Sequence, residues 1–534
     1  MTVHQLIAGA AARHAGRTAL VDGPTGAGVT YGELWRRVER IASWLHGRGV
    51  RHGDCVALWT ANHPAMAAFA LGAMRCGAAV TTLNPAVTDR EAAEQLADAH
   101  AAIAMVSPGL VDRALALDLS TVVAIGDAPG AAPLRDLLAH DAPPPTVEVD
   151  AGSPALIPYS SGTTGLPKGV VLMHANLVAV SRQLAHAFDA KTSDGTLAVA
   201  PFFHILGMTA ELLMPLSVGA TVVTEPRFDQ ATFVDLLERH RISFLAVPPP
   251  IAAFLVHDPN VPARDLSHLE LIAVGGAPLA RHIHEALAVR LPRAAIGQGW
   301  GLTESSGAIS VPRRRTGAPI GTVGAPLRDT ELRVVSPDTH VDVRSDLDGE
   351  LWVRGPQVMR GYLDRPDATA ATITADGWLR TGDLGRITSD GHVVIVDRLK
   401  ELIKVNGFQV APAELEAVLA AHPAVADAAV AGRPDARTGE APVALVVAAR
   451  RVEVDELSGW MRERVAPYKM PVEFRMVDAL PRTASGKLQR QRLREMVNTP
   501  SRSEESGQLA RAGQTLDGAD GSEGFIDATR IEDA

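Results

Sequence analysis

Cysteine is nearly missing from this chain: Cys55 and Cys76 are the only two in 534 residues. Two thiols cannot build the disulfide framework of a secreted protein, so a reducing cytoplasmic compartment is expected, with both cysteines filling core. Long apolar runs are missing too; none approaches the roughly 18 residues of a membrane span. The amino-terminal alanines are broken by Arg13 and His14, so no basic-led apolar export signal is present. Positive charge is in deficit, 51 Lys and Arg against 61 Asp and Glu, and the net charge of −10 argues against nonspecific binding to nucleic acid or anionic membrane. Half of that excess is local, because residues 501–534 hold eight acidic and three basic side chains. No internal repeat is found, and no zinc-ligand spacing surrounds His204.

What the chain does have is core-forming residues, 46% hydrophobic over a length that calls for three or four structural units. Short β-branched runs at 56–59, 101–106, 121–125 and 221–224 read as buried strands, and 31–48 and 89–99 read as intervening helices. The expected fold class is therefore α/β. From Gly324 the pattern changes to short alternating strands at 331–335, 349–355 and 392–396, a small β-rich subdomain. A compact α+β pattern restarts after Asp397-Arg398: helix 412–421, strands 426–431 and 443–448, helix 453–464 and a turn at 481–486. The expected division is 1–396, then a domain at 397–495, then an acidic tail at 496–534 that is expected to be disordered.

Several loops could carry chemistry. Ser160-Ser161-Gly162-Thr163-Thr164-Gly165-Leu166-Pro167-Lys168-Gly169 follows the apolar run Ala155-Leu156-Ile157-Pro158-Tyr159. Glycines free the backbone so that N–H groups and hydroxyls converge on phosphate oxygens, and Lys168 supplies full charge. It is no Walker A loop, since no Ser or Thr follows the lysine. Alone, such a stretch is equally a surface linker. Gly297-Gln298-Gly299-Trp300-Gly301-Leu302-Thr303-Glu304 offers a flat aromatic between glycines, suited to a purine, and a carboxylate suited to magnesium; a hairpin around a core tryptophan fits equally. Thr381-Gly382-Asp383 puts a carboxylate where it could accept ribose hydroxyls, or makes an ordinary turn. Pro201-Phe202-Phe203-His204 precedes an apolar helix. Gly275-Gly276-Ala277-Pro278-Leu279 begins a helix with small residues and leaves room for a ligand. Ser485-Gly486-Lys487 sets a lysine on a mobile turn.

Taken together, these segments, with Asp376-Gly377-Trp378-Leu379-Arg380, Val396-Asp397-Arg398-Leu399-Lys400-Glu401-Leu402-Ile403-Lys404 and Pro481-Arg482-Thr483-Ala484-Ser485-Gly486-Lys487, resemble one family in order and spacing. It is the adenylate-forming superfamily of acyl-CoA synthetases, luciferases and peptide-synthetase adenylation domains, nearest to 4-coumarate–CoA ligases, and the likeness covers residues 5–495. The resemblance implies a large AMP- and acyl-binding domain, a mobile carboxy-terminal lid with a hinge near 397–400, and ATP, Mg2+ and coenzyme A as co-substrates. A carboxylate attacks the α-phosphorus of ATP, leaving an acyl-adenylate; a thiol then displaces AMP.

By the same resemblance Ser160, Ser161, Gly162, Thr163, Thr164 and Lys168 meet the phosphates. Gln298, Gly299 and Trp300 meet adenine, with Trp300 in place of the usual tyrosine; Thr303 and Glu304 serve phosphate and magnesium. Asp383, Arg398 and Lys400 hold the ribose end, and Lys487 bridges the carboxylate and the α-phosphate. Phe203, His204, Gly207, Ala273, Gly276 and Gly301 line a roomy apolar acyl pocket, with Phe203 in place of an orienting tyrosine. Lys404, Arg227, Asn406, Gly407 and Gln409 serve the coenzyme A half, with Asn406 where many relatives carry lysine. An aryl-propenoate or a medium-chain fatty acid is the expected substrate. A carrier-protein thiol or a small amine is the alternative acceptor, and a nonenzymatic nucleotide-binding scaffold is the reading from another class.

Overall fold

The computed structural model describes residues 1–160, 167–406, 408–435, 437–483 and 486–499. The centre of the Ser/Gly/Thr loop, Gly407, Ala484-Ser485 and the acidic tail lie outside them. The chain divides into two compact units, one of Met1–Leu402 with Arg482–Lys487, the other of Ile403–Pro481 with the chain from Leu488.

The first unit is built on two large sheets. One runs in the order Ala295–Gln298, Leu271–Val274, Phe244–Val247, Gly195–Ala198, Thr221–Thr224, Thr18–Asp22, Gly28–Thr30, parallel except for the last strand. The other runs Gly361–Tyr362, Lys168–Met173, Pro154–Ser160, Ala79–Leu83, Cys55–Trp59, Ala101–Val106, Thr121–Ala124, Ala132–Pro133. Its central strands are buried from end to end, as the unbroken apolar runs require. Helix Ala65–Arg75 is apolar on every side and buried from Ala65 to Met74, the signature of a helix enclosed by a core. Helix Tyr31–Gly47 starts where the chain supplies a reciprocal cap: Thr30 Oγ1 accepts the Glu33 N–H, and the Glu33 carboxylate accepts the Thr30 N–H.

An antiparallel sheet of Glu331–Val335, Gly349–Arg354, Leu379–Ile387 and Val393–Arg398 forms the β-rich part of the first unit. The second unit pairs Phe408–Val410, Ile403–Val405, Gly439–Ala448 and Val425–Asp435, with Glu473–Met476 added in parallel, against helices Pro412–Ala420, Val454–Arg462 and Arg490–Asn498. Among the described residues no helix is long and apolar enough to cross a membrane. Gly275-Gly276-Ala277-Pro278-Leu279 is the turn between strand Leu271–Val274 and helix Arg281–Arg290. Gly276 takes φ +86°, a left-handed turn that a helix start does not use.

Candidate active site

A cavity of about 740 Å3 opens in the first unit, where strands Phe244–Val247, Leu271–Val274 and Ala295–Gln298 end and the chain turns away from the sheet. Crevices outside the carboxyl ends of parallel strands are the usual ligand sites of such sheets.

At its polar side, strands Pro154–Ser160 and Lys168–Met173 form an antiparallel hairpin in which Ser160 faces Lys168. The residues between them, including the predicted Ser161, Gly162, Thr163 and Thr164, lie outside the described residues. Ser160 Oγ and the Tyr362 hydroxyl both donate to Glu304 Oε1, at 3.0 and 2.8 Å. Among the described residues Oε2 of Glu304 has no hydrogen bond. A single carboxylate oxygen left open beside a phosphate-type loop fits Mg2+, which takes one or two carboxylates and fills its shell with phosphate oxygens and water. Lys168 Nζ lies 5.1 Å from the Tyr362 ring centroid, and burial raises that phenol above its ordinary pKa. Tyr362 is a site residue that the motifs did not single out; it sits alone after a glycine, with no spacing to mark it. Thr303 opens the short turn Thr303–Ser305 and lines the cavity beside Glu304.

The second cluster surrounds Asp383. Its register partner across the sheet is Arg398, whose Nε lies 3.1 Å from Oδ1, and the Trp300 indole N–H donates to Oδ2 at 2.7 Å. Asp383 is only 3% exposed, so it stands behind the lining residues Trp300, Arg398 and Lys400. Burial pushes its carboxyl above the usual range against the opposing pull of Arg398 and Trp300. Glu350 fixes the turn from beneath: Oε1 accepts the Gly382 N–H at 3.0 Å while Oε2 accepts the Trp352 indole N–H at 2.7 Å.

Lys487 reaches the same cavity. Burial and Arg398 lower its pKa, and Asp383 and Glu304 oppose them. Its Cε lies 3.5 Å from where a Cβ on Gly276 would stand, so the missing side chain at Gly276 makes room for the lysine stem. His204 lines the cavity as well. Burial and Lys487 bring its pKa down to about 3, and Nδ1 accepts the Leu206 N–H at 3.3 Å. The imidazole is therefore neutral at working pH with its proton on Nε2, a donor and not a base.

Phe203, Ala273, Gly276 and Gly301 are among the residues that line the cavity. Gln298 and Gly207 are not among the described residues that line it. Gln298 Oε1 is committed to the Leu279 N–H at 2.8 Å, which ties down the loop carrying Gly276. Gly207 and Gly301 are small for packing reasons: an added Cβ would stand 2.4 Å from the Pro201 carbonyl oxygen in one case and 2.4 Å from the Gly307 carbonyl oxygen in the other. The apolar part of the cavity is lined by alanines, Ala210, Ala246 and Ala308 with Ala273, beside Leu184, Leu206, Phe188 and Val311. No motif pointed to Ala210, Ala246 or Ala308, because alanine in an alanine-rich chain carries no local signal.

Arg227, Lys404, Asn406 and Gln409 are exposed. Arg227 lies just after strand Thr221–Thr224. In the second unit Lys404 and Gln409 face each other across the hairpin of Ile403–Val405 and Phe408–Val410, and Asn406 takes φ +50° at its turn. An Asn-Gly pair is the preferred filling for a two-residue hairpin turn. Asn406 is thus explained by backbone conformation.

The AMP-binding enzyme family matches residues 7–363, and the AMP-binding enzyme C-terminal domain matches 414–487. The 4-coumarate–CoA ligase 5 of Oryza sativa subsp. japonica is 39% identical over 491 residues, 90% of this chain and 91% of that protein. The crystal structure of ATP-bound MatB from Rhodopseudomonas palustris superposes with a TM-score of 0.86 at 29% identity, over 93% of this chain and 99% of that one. The amide bond synthetase McbA from Marinactinospora thermotolerans reaches a TM-score of 0.84 at 27% identity, over 93% of this chain and 100% of that one. A nucleotide-type cluster around Asp383 and Glu304, a buried lysine beside an apolar arm, and matches along both units agree: the chain belongs to the AMP-binding enzyme family, within the adenylate-forming superfamily.

Proposed function

We propose that this AMP-forming acid–thiol ligase activates an aryl-propenoate or a medium-chain fatty acid with ATP and passes it to coenzyme A. The observation that carries the reading is Lys487, a buried lysine that lines one cavity with Glu304, Arg398 and the apolar residues and feels the Asp383 and Glu304 carboxylates. A carboxylate is already ionised at neutral pH, so the reaction asks for charge neutralisation and alignment more than for a base. Lys487 supplies that charge to the substrate carboxylate and the α-phosphate. Ser160 and Lys168 hold the departing phosphates, and Glu304 holds Mg2+, which neutralises phosphate charge. Asp383 receives the ribose hydroxyls with Arg398 and Lys400 beside it, while Trp300 and Gly299 face the base. His204, neutral and donating from Nε2, orients the acyl carbonyl.

The thioester half falls to Lys404, Gln409 and Asn406 on the hairpin of the second unit, with Arg227 meeting coenzyme A phosphate. A second acceptor, a small amine or a carrier-protein thiol, is favoured by the likeness to an amide bond synthetase. Asn406 does not argue for it, since its turn geometry accounts for it. Acid-dependent pyrophosphate release, followed by mass spectrometry of the product with and without coenzyme A, tests the reading. A coenzyme A thioester is the expected product; ATP binding without acid-dependent pyrophosphate release would overturn it. Lys404→Ala should keep adenylate formation and lose thioester formation, and normal coenzyme A turnover in that variant would remove the lysine from its role.

A further inference from the structure

We infer that the acyl arm selects acids whose far end is purely apolar, and that it discriminates against the same acids carrying a terminal hydroxyl. The inference rests on the acid–CoA ligase reading above and adds a substrate property to it.

The arm's floor is a sheet face. Ala246 and Ala273 are register partners on neighbouring parallel strands, so their side chains stand side by side. Two residues earlier on the same face stand Phe244 and Leu271, and Phe244 stacks on Phe188 with ring centroids 4.9 Å apart. Helix His174–Ala187 brings Leu184 over this face, and Ala210 and Val311 complete the enclosure. Leu184, Phe188, Ala210, Ala246, Ala273 and Val311 offer no side-chain donor or acceptor. The nearest hydroxyl along the chain is that of Thr209, which donates to the Ile205 carbonyl at 2.7 Å and is 1% exposed. Thr209 lines the cavity, but its one proton is committed to that carbonyl. None of the charged side chains that line the cavity, Lys168, Glu304, Glu350, Arg380, Arg398, Lys400 and Lys487, belongs to these floor strands or to the helix over them.

A hydroxyl carried to the end of this arm leaves water and finds no partner among these side chains. An apolar pocket penalises an added hydroxyl by about 10- to 100-fold in kcat/KM, less than a pocket built to bind one would penalise its loss. Cinnamate is therefore preferred to 4-coumarate, and octanoate to 8-hydroxyoctanoate.

The test measures kcat/KM for pyrophosphate release with the full-length protein on matched pairs: cinnamate against 4-coumarate, 3-phenylpropanoate against its para-hydroxy form, and octanoate against 8-hydroxyoctanoate. The expected result is a ratio of about 10 or more for the unhydroxylated member of each pair that is turned over. Equal or better use of the hydroxylated member overturns the inference while leaving the ligase reading intact. No pyrophosphate release with any of the six acids overturns both. Ala273→Ser and Ala246→Ser place a hydroxyl on the floor at little steric cost and should narrow the ratio by improving use of the hydroxylated acid; an unchanged ratio in both removes the discrimination from this floor.

Discussion

Among the described residues the Trp300 side chain makes one hydrogen bond, from the indole N–H to Asp383 Oδ2 at 2.7 Å, and phenylalanine keeps the ring area while deleting that donor. A hydrogen bond to a charged group is worth about 1.5–3 kcal/mol, so Trp300→Phe should raise KM for ATP roughly 10- to 100-fold and change kcat less. An unchanged KM would show that the bond does not orient the carboxylate for ribose. Lys487→Ala should abolish adenylate formation and spare thioester formation from supplied acyl-adenylate; equal loss of both half-reactions would sink the division of labour. Because burial lowers the lysine pKa, its charge is lost at lower pH than an ordinary lysine's. The alkaline limb of adenylate formation in the wild-type enzyme should accordingly fall earlier than lysine's usual value near 10.4. At this scale the sequence marks residues whose chemistry is their signal: Lys487, Glu304 and Arg398, which line the cavity, and Asp383 behind them. It was misleading where absence of a side chain was the clue. Gly207 and Gly301 suggested room for a substrate, and backbone carbonyls at 2.4 Å from the missing Cβ positions are the actual reason.

Strands were legible where apolar residues ran unbroken, as at Ala101–Val106 and Thr221–Thr224, and the turn positions were legible from glycine. What ties the strands together was not. Arg314, 5% exposed at its side chain, donates from Nη1 and Nη2 to the two Asp194 oxygens at 2.7 and 2.6 Å and from Nε to Glu270 Oε2 at 2.7 Å. Ser243 Oγ adds a bond to Asp194 at 2.9 Å. Asp194, Ser243 and Glu270 stand just before strands Gly195–Ala198, Phe244–Val247 and Leu271–Val274, so one guanidinium gathers the amino ends of three strands whose other ends carry the cavity. Burial alone would raise the Asp194 pKa; the bonds from Arg314, the Lys191 N–H and Ser243 outweigh it and hold the carboxyl below its usual range. Arg314→Ala leaves a buried carboxylate without its partner and should cost about 3–5 kcal/mol in urea unfolding. A change below about 1 kcal/mol, the ceiling for exposed pairs, would reduce the network to surface decoration. Four residues 120 and 44 positions apart carry no periodic signature, and for that reason the sequence did not announce them.

Over the whole molecule, acid sensitivity should originate outside the cavity as well as within it. His4 on helix Val3–Arg13 and His174 at the start of helix His174–Ala187 pack edge to face, ring centroids 5.6 Å apart, and His174 Nδ1 accepts the Val3 N–H at 3.2 Å. Both are buried. Burial, with Arg75 adding to it, brings His4 down to about 4, and burial, with His4 adding to it, brings His174 down to about 3. An unfolded chain protonates both near pH 6.5, so between that pH and the folded values the unfolded state binds more protons. Stability from this pair is therefore fully present above about pH 6.5 and is lost as pH falls, by about 1.4 kcal/mol per pH unit for each imidazole. His204 follows the same rule, with a folded value of about 3. His174→Gln keeps an acceptor for the Val3 N–H and removes the titration. Urea midpoints taken from pH 7.5 to 5 should fall less steeply in that variant than in the wild type, even though the substitution costs some stability at neutral pH. Parallel pH profiles for the two proteins would assign the acid loss to other groups and leave the amino-terminal helix as a passive part of the core.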